Sequence, residues 1–345
     1  MNEVSNGTIL LFSIFSTANN SEQHYEYQLY NKPNFDNMLR RLKLIYLLYN
    51  IFNKKKLLHN VRLYKTMGLK KFYFSSISSK DFKNIDENLL KPNDYIPKIS
   101  DTALFRKLDV QSKQSILQFE NEGFAVLKQY LEESTIDAIN QEIDTLLEQK
   151  KVFFKYGKKV MFAIHKSNFL KNIGEGKELL ELLSSMMHED MKLFQSINFK
   201  TGSEQHTHSD SIHMTTFPLG GLLGVWIALE DIELDNGPLH YYPGSHKLPY
   251  YLNKDYNNEG NFFLIGDKDY SQYEEMIKEK LSQESSKKSV FTAKKGDILI
   301  WHANLFHGGE VHLNKAKTRK SMVLHYFAAD RICYHEITQR PALID

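Results

Sequence analysis

With a single cysteine, Cys333, the 345-residue chain can form no intramolecular disulfide and can build no cysteine-rich zinc or iron–sulfur site. Any metal chemistry must therefore draw on His, Asp and Glu. Long apolar runs are missing too. Ile9–Phe12 ends at Ser13 and Leu44–Tyr49 is interrupted at Asn50, both far short of the roughly 18–20 residues of a spanning helix. A transmembrane helix is not expected. Nor is a secretory leader, because Met1–Ala18 carries Glu3 and no Lys or Arg around its apolar middle. A cytoplasmic location is the default expectation. Acidic residues are absent between Asn37 and Lys80, a stretch with eleven Lys and Arg, whereas the remainder carries 33 basic and 42 acidic residues. The near-neutral net charge of +2 thus hides a basic N-terminal region.

Within that region Met38–Phe52 reads as a helix apolar on most faces, followed by Lys54–Lys56 and a second basic, apolar stretch, Leu57–Phe74. Two readings suit it: its apolar residues pack on the rest of the protein with the lysines in water, or residues 37–80 attach peripherally to the anionic inner membrane surface. An acidic carrier or an acyl-CoA would use the same charges. Nucleic acid is not expected, since no recognition motif accompanies them. Asp81 to Lys98, with Pro92 and Pro97, reads as connecting chain. This divides the chain into an N-terminal extension, 1–100, basic and partly helical, and a main domain, 101–345.

From Asp109 the pattern is helical over Val110–Glu122, extended over Gly123–Leu127, and amphipathic-helical over Glu133–Gln149, with Ile136, Ile139, Ile143, Leu146 and Leu147 on one face. Val160–Ile164 reads as a strand and Lys177–Met187 as a helix. Short strands then dominate: Leu193–Phe199, Gly224–Glu230, Gly237–Tyr242, Asp297–His302 and Ser321–Ala328, separated by turn residues. Helices first and strands second favour a mainly β fold with flanking helices, a jelly-roll barrel, over an alternating α/β sheet. Residues 250–289, with a helical pattern over Tyr270–Gln283, interrupt the strands as an insertion near the barrel mouth.

His208-Ser209-Asp210 places two metal-competent side chains two residues apart, on the same side of an extended backbone. Alone this is a weak signal. It gains weight from the later block Gly296-Asp297-Ile298-Leu299-Ile300-Trp301-His302-Ala303-Asn304-Leu305-Phe306-His307-Gly308-Gly309, followed by Arg319-Lys320-Ser321. Two histidines and one carboxylate on one face of Fe(II) leave three positions open, two for a keto acid and one for dioxygen. A guanidinium such as Arg319 can grip the far carboxylate of 2-oxoglutarate with two hydrogen bonds, and Ser321, on the same side of a strand, can add a third. Between His302 and His307 as distal ligand, residue type does not decide.

At this point the chain resembles the phytanoyl-CoA dioxygenase family of 2-oxoglutarate oxygenases. The resemblance runs from Phe119 to Phe327 and comprises Phe119-x-x-x-Gly123-Phe124-x-x-Leu127, Gln205 to Asp210, Trp226 to Asp231, Asn236 to Leu239, Pro243 to Lys247, Gly296 to Gly309 and Arg319 to Tyr326, in that order. It implies a double-stranded β-helix (cupin-like) core, Fe(II), 2-oxoglutarate and dioxygen as reactants, His208 and Asp210 as near ligands, and His307 as distal ligand. Family spacing favours His307, twelve residues before Arg319, over His302, seventeen before it. It further implies Arg319 with Ser321 as the keto-acid anchor and Trp226 in the cofactor pocket. The expected reaction is hydroxylation of an unactivated C–H bond of a small molecule, acyl- or lipid-like or carrier-bound, with release of succinate and CO2. Asp210 disfavours halogenation, which in relatives goes with a small residue there; desaturation and cyclisation stay open.

Among the remaining residues, Gln195, Asn198 and Lys200 lie on the strand leading to the metal motif and are candidate contacts to the keto acid, a solvent face being the equal alternative for polar residues at period two. His206, His246, Tyr241 and Asn304 are candidates to touch substrate or to support the ligands. His206-x-His208 also imitates a cupin pair, but His213 or Thr215 stands where such a site wants Glu. His165, His188, His325 and His335 are assigned no role, and Asn236-Gly237 reads as a plain hairpin turn. Two rival functions remain: a non-catalytic ligand- or lipid-binding module on the same barrel, and a cupin-type metalloenzyme that needs no keto acid. The residues leave the oligomeric state open.

Overall fold

The computed structural model describes residues 39–86, 96–155, 158–284 and 286–344. The possible leader Met1–Ala18 and the middle of the connecting chain before Lys98 lie outside the described residues. In chain order the strands are β1 (Phe124–Leu127), β2 (Phe154–Lys155), β3 (Lys159–Met161), β4 (Met191–Phe199), β5 (Thr215–Phe217), β6 (Leu222–Ala228), β7 (Leu239–Tyr241), β8 (Ser289–Phe291), β9 (Ile298–His302), β10 (His307–Gly309), β11 (Ser321–Ala328), β12 (Ile332–His335) and β13 (Arg340–Pro341). The longer helices are α1 (Lys43–Phe52), α2 (Lys54–Thr66), α3 (Glu133–Glu148), α4 (Lys177–Met187) and α5 (Tyr270–Gln283).

Among the described residues the strands form a large sheet in the order β1-β9-β6-β11-β4-β3-β2 and two small ones, β10-β7-β8 and β13-β12-β5. Every pairing is antiparallel. The large sheet is covered on both faces, so its central strands are largely apolar and only alternation tells which side each residue serves. Val225, Ile227, Ile298, Ile300, Met322 and Leu324 pack outward against Ile136 and Ile139 of α3 and Leu179, Leu182 and Leu183 of α4. Their neighbours Trp226, Leu299, Trp301 and Val323 point inward and meet Leu239, Tyr241 and Phe291 of the facing small sheet. The functional side chains come from this inner layer.

Burial of Ile136, Ile139 and Leu146 of α3, each worth about 1.5–3 kcal/mol, fixes that helix as the amphipathic pattern predicts. The short strands β5, β8, β10, β12 and β13 carry no comparable pattern and were not anticipated. Residues 250–289 connect β7 to β8, which are neighbours in one sheet, so the insertion is a long excursion between adjacent strands. Its helix α5 buries Tyr270, Tyr273, Ile277 and Leu281 at helical spacing against Ile212, Phe306 and Ile337.

The inner faces of the N-terminal helices pack on the sheet. Asn60 of α2 donates to the Cys333 carbonyl (2.7 Å) and accepts from the Cys333 N–H (2.9 Å), meeting both polar backbone groups of one β12 residue. Leu63, Tyr64 and Met67 join Phe82, Phe217, Ile332 and Tyr334 in one buried cluster, with the Phe82 and Phe217 rings stacked at 4.0 Å. At about 1.5–3 kcal/mol per buried side chain, this contact is comparable with the usual total folding margin of about 5–15 kcal/mol. The described residues 39–86 of the extension are part of the fold.

Candidate active site

His208 and His307 form an isolated antiparallel bridge, exchanging backbone hydrogen bonds of 2.9 and 3.0 Å. That pairing puts the two imidazoles side by side, with ring centres 4.6 Å apart. Each ring is oriented by the same local device: Nδ1–H donates to the carbonyl two residues earlier, His206 O at 2.8 Å and Leu305 O at 2.9 Å. This turns Nε2 of both rings toward Asp210, where the two could hold a common metal. Asp210 opens a single 3-10 turn, Asp210–Ile212, capped by Ser209 Oγ, which accepts the Ser211 N–H. Its Oδ1 lies 3.7 Å from His208 Nε2 and 3.8 Å from His307 Nε2. The three ligand atoms all lie within 4.8 Å of one another, and all three residues are buried.

The other carboxylate oxygen is held from behind. Trp301 Nε1–H donates to Asp210 Oδ2 at 2.8 Å, and His325 Nε2 stands 3.5 Å from the same oxygen. Burial works to raise the Asp210 pKa, but His307, His325 and His208 around it outweigh burial and hold the carboxyl well below the ordinary range. It is a carboxylate at neutral pH, as a metal ligand must be. The Trp301 indole fits because position 224 is glycine: a Cβ there would lie 2.2 Å from the ring.

Arg319 is fully buried, with its guanidinium centre 5.4 Å from the Trp226 ring and 5.7 Å from the Phe199 ring. Nε donates to the Gly237 carbonyl (2.9 Å) and Nη1 to Ser321 Oγ (2.8 Å). Nη2 is buried without a hydrogen-bond partner, as is Trp226 Nε1. Burial lowers the Arg319 pKa to about 10, so the group stays charged at neutral pH. An orphaned buried donor of a charged group costs free energy unless something completes it, and a carboxylate is the matching partner. The same hollow of about 460 Å³ is lined by His208, Asp210, His307, Trp226 and Arg319. The residues therefore fit Fe(II) at one end and the far carboxylate of 2-oxoglutarate at the other.

The other candidates read from the sequence fall at different distances from this hollow. Lys200 does not reach this hollow: its ammonium pairs with Asp144 at 3.0 Å on the helix-covered side of the sheet. Asn198 shares that side with it. Gln195 points inward but stops short of the keto-acid pocket, hydrogen bonding to His325 Nδ1 (3.1 Å) and contacting Met214 Sδ (3.0 Å). The His206 side chain is exposed and contributes its carbonyl instead. His246 bonds to the Glu120 carbonyl (3.2 Å) and meets His302 edge-on, away from the triad. Tyr241 pairs with His307 in β7 and packs its ring on Phe124. Asn304 ties the carbonyls of His246 and Leu248 to Ser209, behind the ligand turn. His302 turns toward His246, and its Nδ1 accepts the Asn304 N–H, so it has no part in the cluster.

His325, assigned no role from sequence, belongs to the site. The signal was available, since 319, 321, 323 and 325 fall on one face at period two. Trp301 and Gln205 were also missed as site residues; Gln205 Nε2 lies 3.1 Å from His208 Nε2. The Asn236-Gly237 turn is more than a connection, because a left-handed Gly237 (φ +79°) presents the carbonyl that holds Arg319.

A buried two-histidine, one-carboxylate metal site set between antiparallel sheets, with an arginine pocket beside it, defines a non-haem metalloenzyme class. The chain belongs to the phytanoyl-CoA dioxygenase (PhyH) family, whose model matches residues 119–321. It is 25% identical over 196 residues to the zebrafish (Danio rerio) phytanoyl-CoA dioxygenase domain-containing protein 1, covering 40% of this chain and 67% of the relative. It is 24% identical over 259 residues to the Caenorhabditis briggsae homologue, covering 60% and 88%. Its fold is similar to that of the 2-oxoglutarate-bound EctD from S. alaskensis (TM-score 0.54, 16% identity, 72% of this chain and 88% of that one). It is also similar to the non-heme alpha ketoglutarate dependent carbocyclase SnoK (TM-score 0.53, 17% identity, 69% and 89%).

Proposed function

We propose that this protein is an Fe(II)- and 2-oxoglutarate-dependent dioxygenase with a double-stranded β-helix core in residues 101–345, hydroxylating a C–H bond of a small apolar substrate and releasing succinate and CO2. The observation that carries the reading is the buried Arg319 with an unpartnered Nη2 in the hollow that also holds the His208, Asp210 and His307 ligand atoms. A structural ion pair would have no reason to leave that donor unmatched.

Iron, 2-oxoglutarate and dioxygen together supply the oxidising power when bound. The protein's part is placement. The carbonyls of His206 and Leu305 fix the ring orientation of the two histidines. Trp301 and His325 hold Asp210 so that Oδ1 faces both imidazoles, and Arg319, steadied by Gly237 and Ser321, aligns the keto acid along the inner face of the sheet. Trp226 and Phe199 exclude water from the guanidinium and so strengthen its grip.

A second hollow lies behind the His325–Gln195 pair, its apolar walls formed by Phe162, Phe194, Met214 and Phe327 and its polar ones by His213, His335 and Arg340. Its apolar walls support an acyl- or lipid-like substrate. The test is succinate formation from 2-oxoglutarate by the Fe(II)-loaded protein, alone and with acyl substrates of increasing chain length. Metal binding without succinate would favour a metalloenzyme that needs no keto acid; substrate binding with neither metal nor succinate would favour a non-catalytic module.

A further inference from the structure

We propose that α1 and the Phe262–Phe263 turn of the insertion together form a docking surface for an anionic phospholipid bilayer. The inner face of α1 is already used by the protein: Tyr46 and Asn50 are buried, and Asn50 Nδ2 donates to the Phe74 carbonyl at 3.2 Å. A helix with one face packed normally shows polar residues on the other. Here the outward residues Leu44 (60% exposed), Leu48 and Ile51, at positions i, i+4 and i+7, are also apolar and lie on one stripe.

A second segment extends that stripe. The Phe263 carbonyl accepts the Lys43 N–H (2.9 Å) at the first residue of α1, and Ile265 N–H donates to the Arg41 carbonyl (2.9 Å). This places Phe262 and Phe263, 85% and 70% exposed, beside the helix start, their rings edge to face at 5.0 Å. At the other end Tyr73 bonds to the Ile51 carbonyl, and the exposed Phe72 stands next to it. Large apolar side chains from segments more than 180 residues apart in sequence thus border one helix about 15 Å long.

Charge selects the occupant. Asn37 to Lys80 carries eleven basic and no acidic residues, and the exposed Lys54 and Lys55 follow α1 directly. Acids of neighbouring elements pair with four of these bases, Asp267 with Arg41, Asp330 with Arg62, Asp81 with Lys71 and Glu259 with Lys80, so the region keeps a net positive charge. An apolar stripe with lysines at its border is the composition of a helix that lies in a bilayer interface, its apolar side chains among the acyl chains and its ammonium groups at lipid phosphates. A protein partner would have to match both the apolar ridge and the excess positive charge, whereas an anionic leaflet does so without specific contacts.

Co-sedimentation of the full-length protein with vesicles of phosphatidylcholine, with and without phosphatidylserine, tests this, with sedimentation velocity run in parallel. Binding should be at least tenfold stronger to the anionic vesicles at low salt and fall severalfold as salt is raised. The double variants L44S/L48S and F262S/F263S should each lose about tenfold in partitioning while keeping the melting temperature and the rate of keto-acid turnover in solution. Should a leucine variant fail to fold, K54Q/K55Q, which alters exposed charges alone, should still lower binding to anionic vesicles severalfold. Equal binding to both vesicles, binding to neither, or variants that bind as well as wild type would overturn the proposal. So would a concentration-dependent dimer abolished by F262S/F263S, which would assign the surface to a second copy of the chain.

Discussion

Replacing Arg319 by Met is the most informative single perturbation, because it separates the cofactor from both the metal and the fold. In the free protein Arg319 makes two hydrogen bonds, to Gly237 O and Ser321 Oγ, each worth about 1.5–3 kcal/mol because the donor is charged. Against these stand the unpartnered Nη2, which costs about 1–3 kcal/mol, and the desolvation of a fully buried charge. The terms oppose each other, so the variant should differ from wild type by no more than about 2 kcal/mol without ligand. Its affinity for 2-oxoglutarate should change far more. Removing one partner of a buried charged pair costs about 3–5 kcal/mol, which is a loss of roughly two to three and a half orders of magnitude. Thermal melts under anaerobic Fe(II) read both quantities. At a 2-oxoglutarate concentration about 100 times its Kd, wild type should gain about 2.7 kcal/mol of stability and the variant almost none. Arg319→Lys should recover part of the loss, since an ammonium keeps the charge but not the fork. A variant stabilised by 2-oxoglutarate as strongly as wild type would refute the assignment of the arginine pocket.

Three further outcomes are expected. His307→Ala should abolish stoichiometric Fe(II) binding and turnover while His302→Ala retains both, because Nε2 of His307 alone of the two lies near Asp210; metal titration of the two variants distinguishes them, and the reverse pattern would exchange their roles. Trp301→Phe removes the indole N–H from Asp210 Oδ2 and should weaken metal binding by about 10–100-fold with the fold preserved; an unchanged metal affinity would mean that Asp210 needs no such support. Glu336 is buried, and burial outweighs its bonds from Ser79 to raise its pKa. A carboxyl with a raised folded pKa contributes stability that is present below its unfolded pKa and lost as pH rises through the folded one. Melts against pH should therefore show Glu336→Gln with a flatter decline above the ordinary carboxylate range.

Much of this protein was legible in its residues. The helices α3, α4 and α5 follow from apolar spacing, and β11 from a largely apolar run of eight residues, because each of these patterns reports burial of a single element by itself. The ligand set was legible for a similar reason: His208 and Asp210 are two residues apart, and the block before Arg319 is short, so local geometry and motif order carry it. Other features depended on contacts between distant segments. Which of Gln195, Asn198 and Lys200 faces the site depends on the phase of a strand buried on both sides, and polar residues falling on both of its faces conceal that phase. Trp301, His325 and the Gly237 carbonyl matter only because β9, β11 and the turn before β7 converge on Asp210 and Arg319. The N-terminal extension combines both kinds of information. Its basic, apolar composition was plain, but only the tertiary structure decided that one face of α1 packs inward while the other stays exposed, with the Phe262–Phe263 turn bonded at the helix start, since a helix's two faces are distinguished by what lies against them.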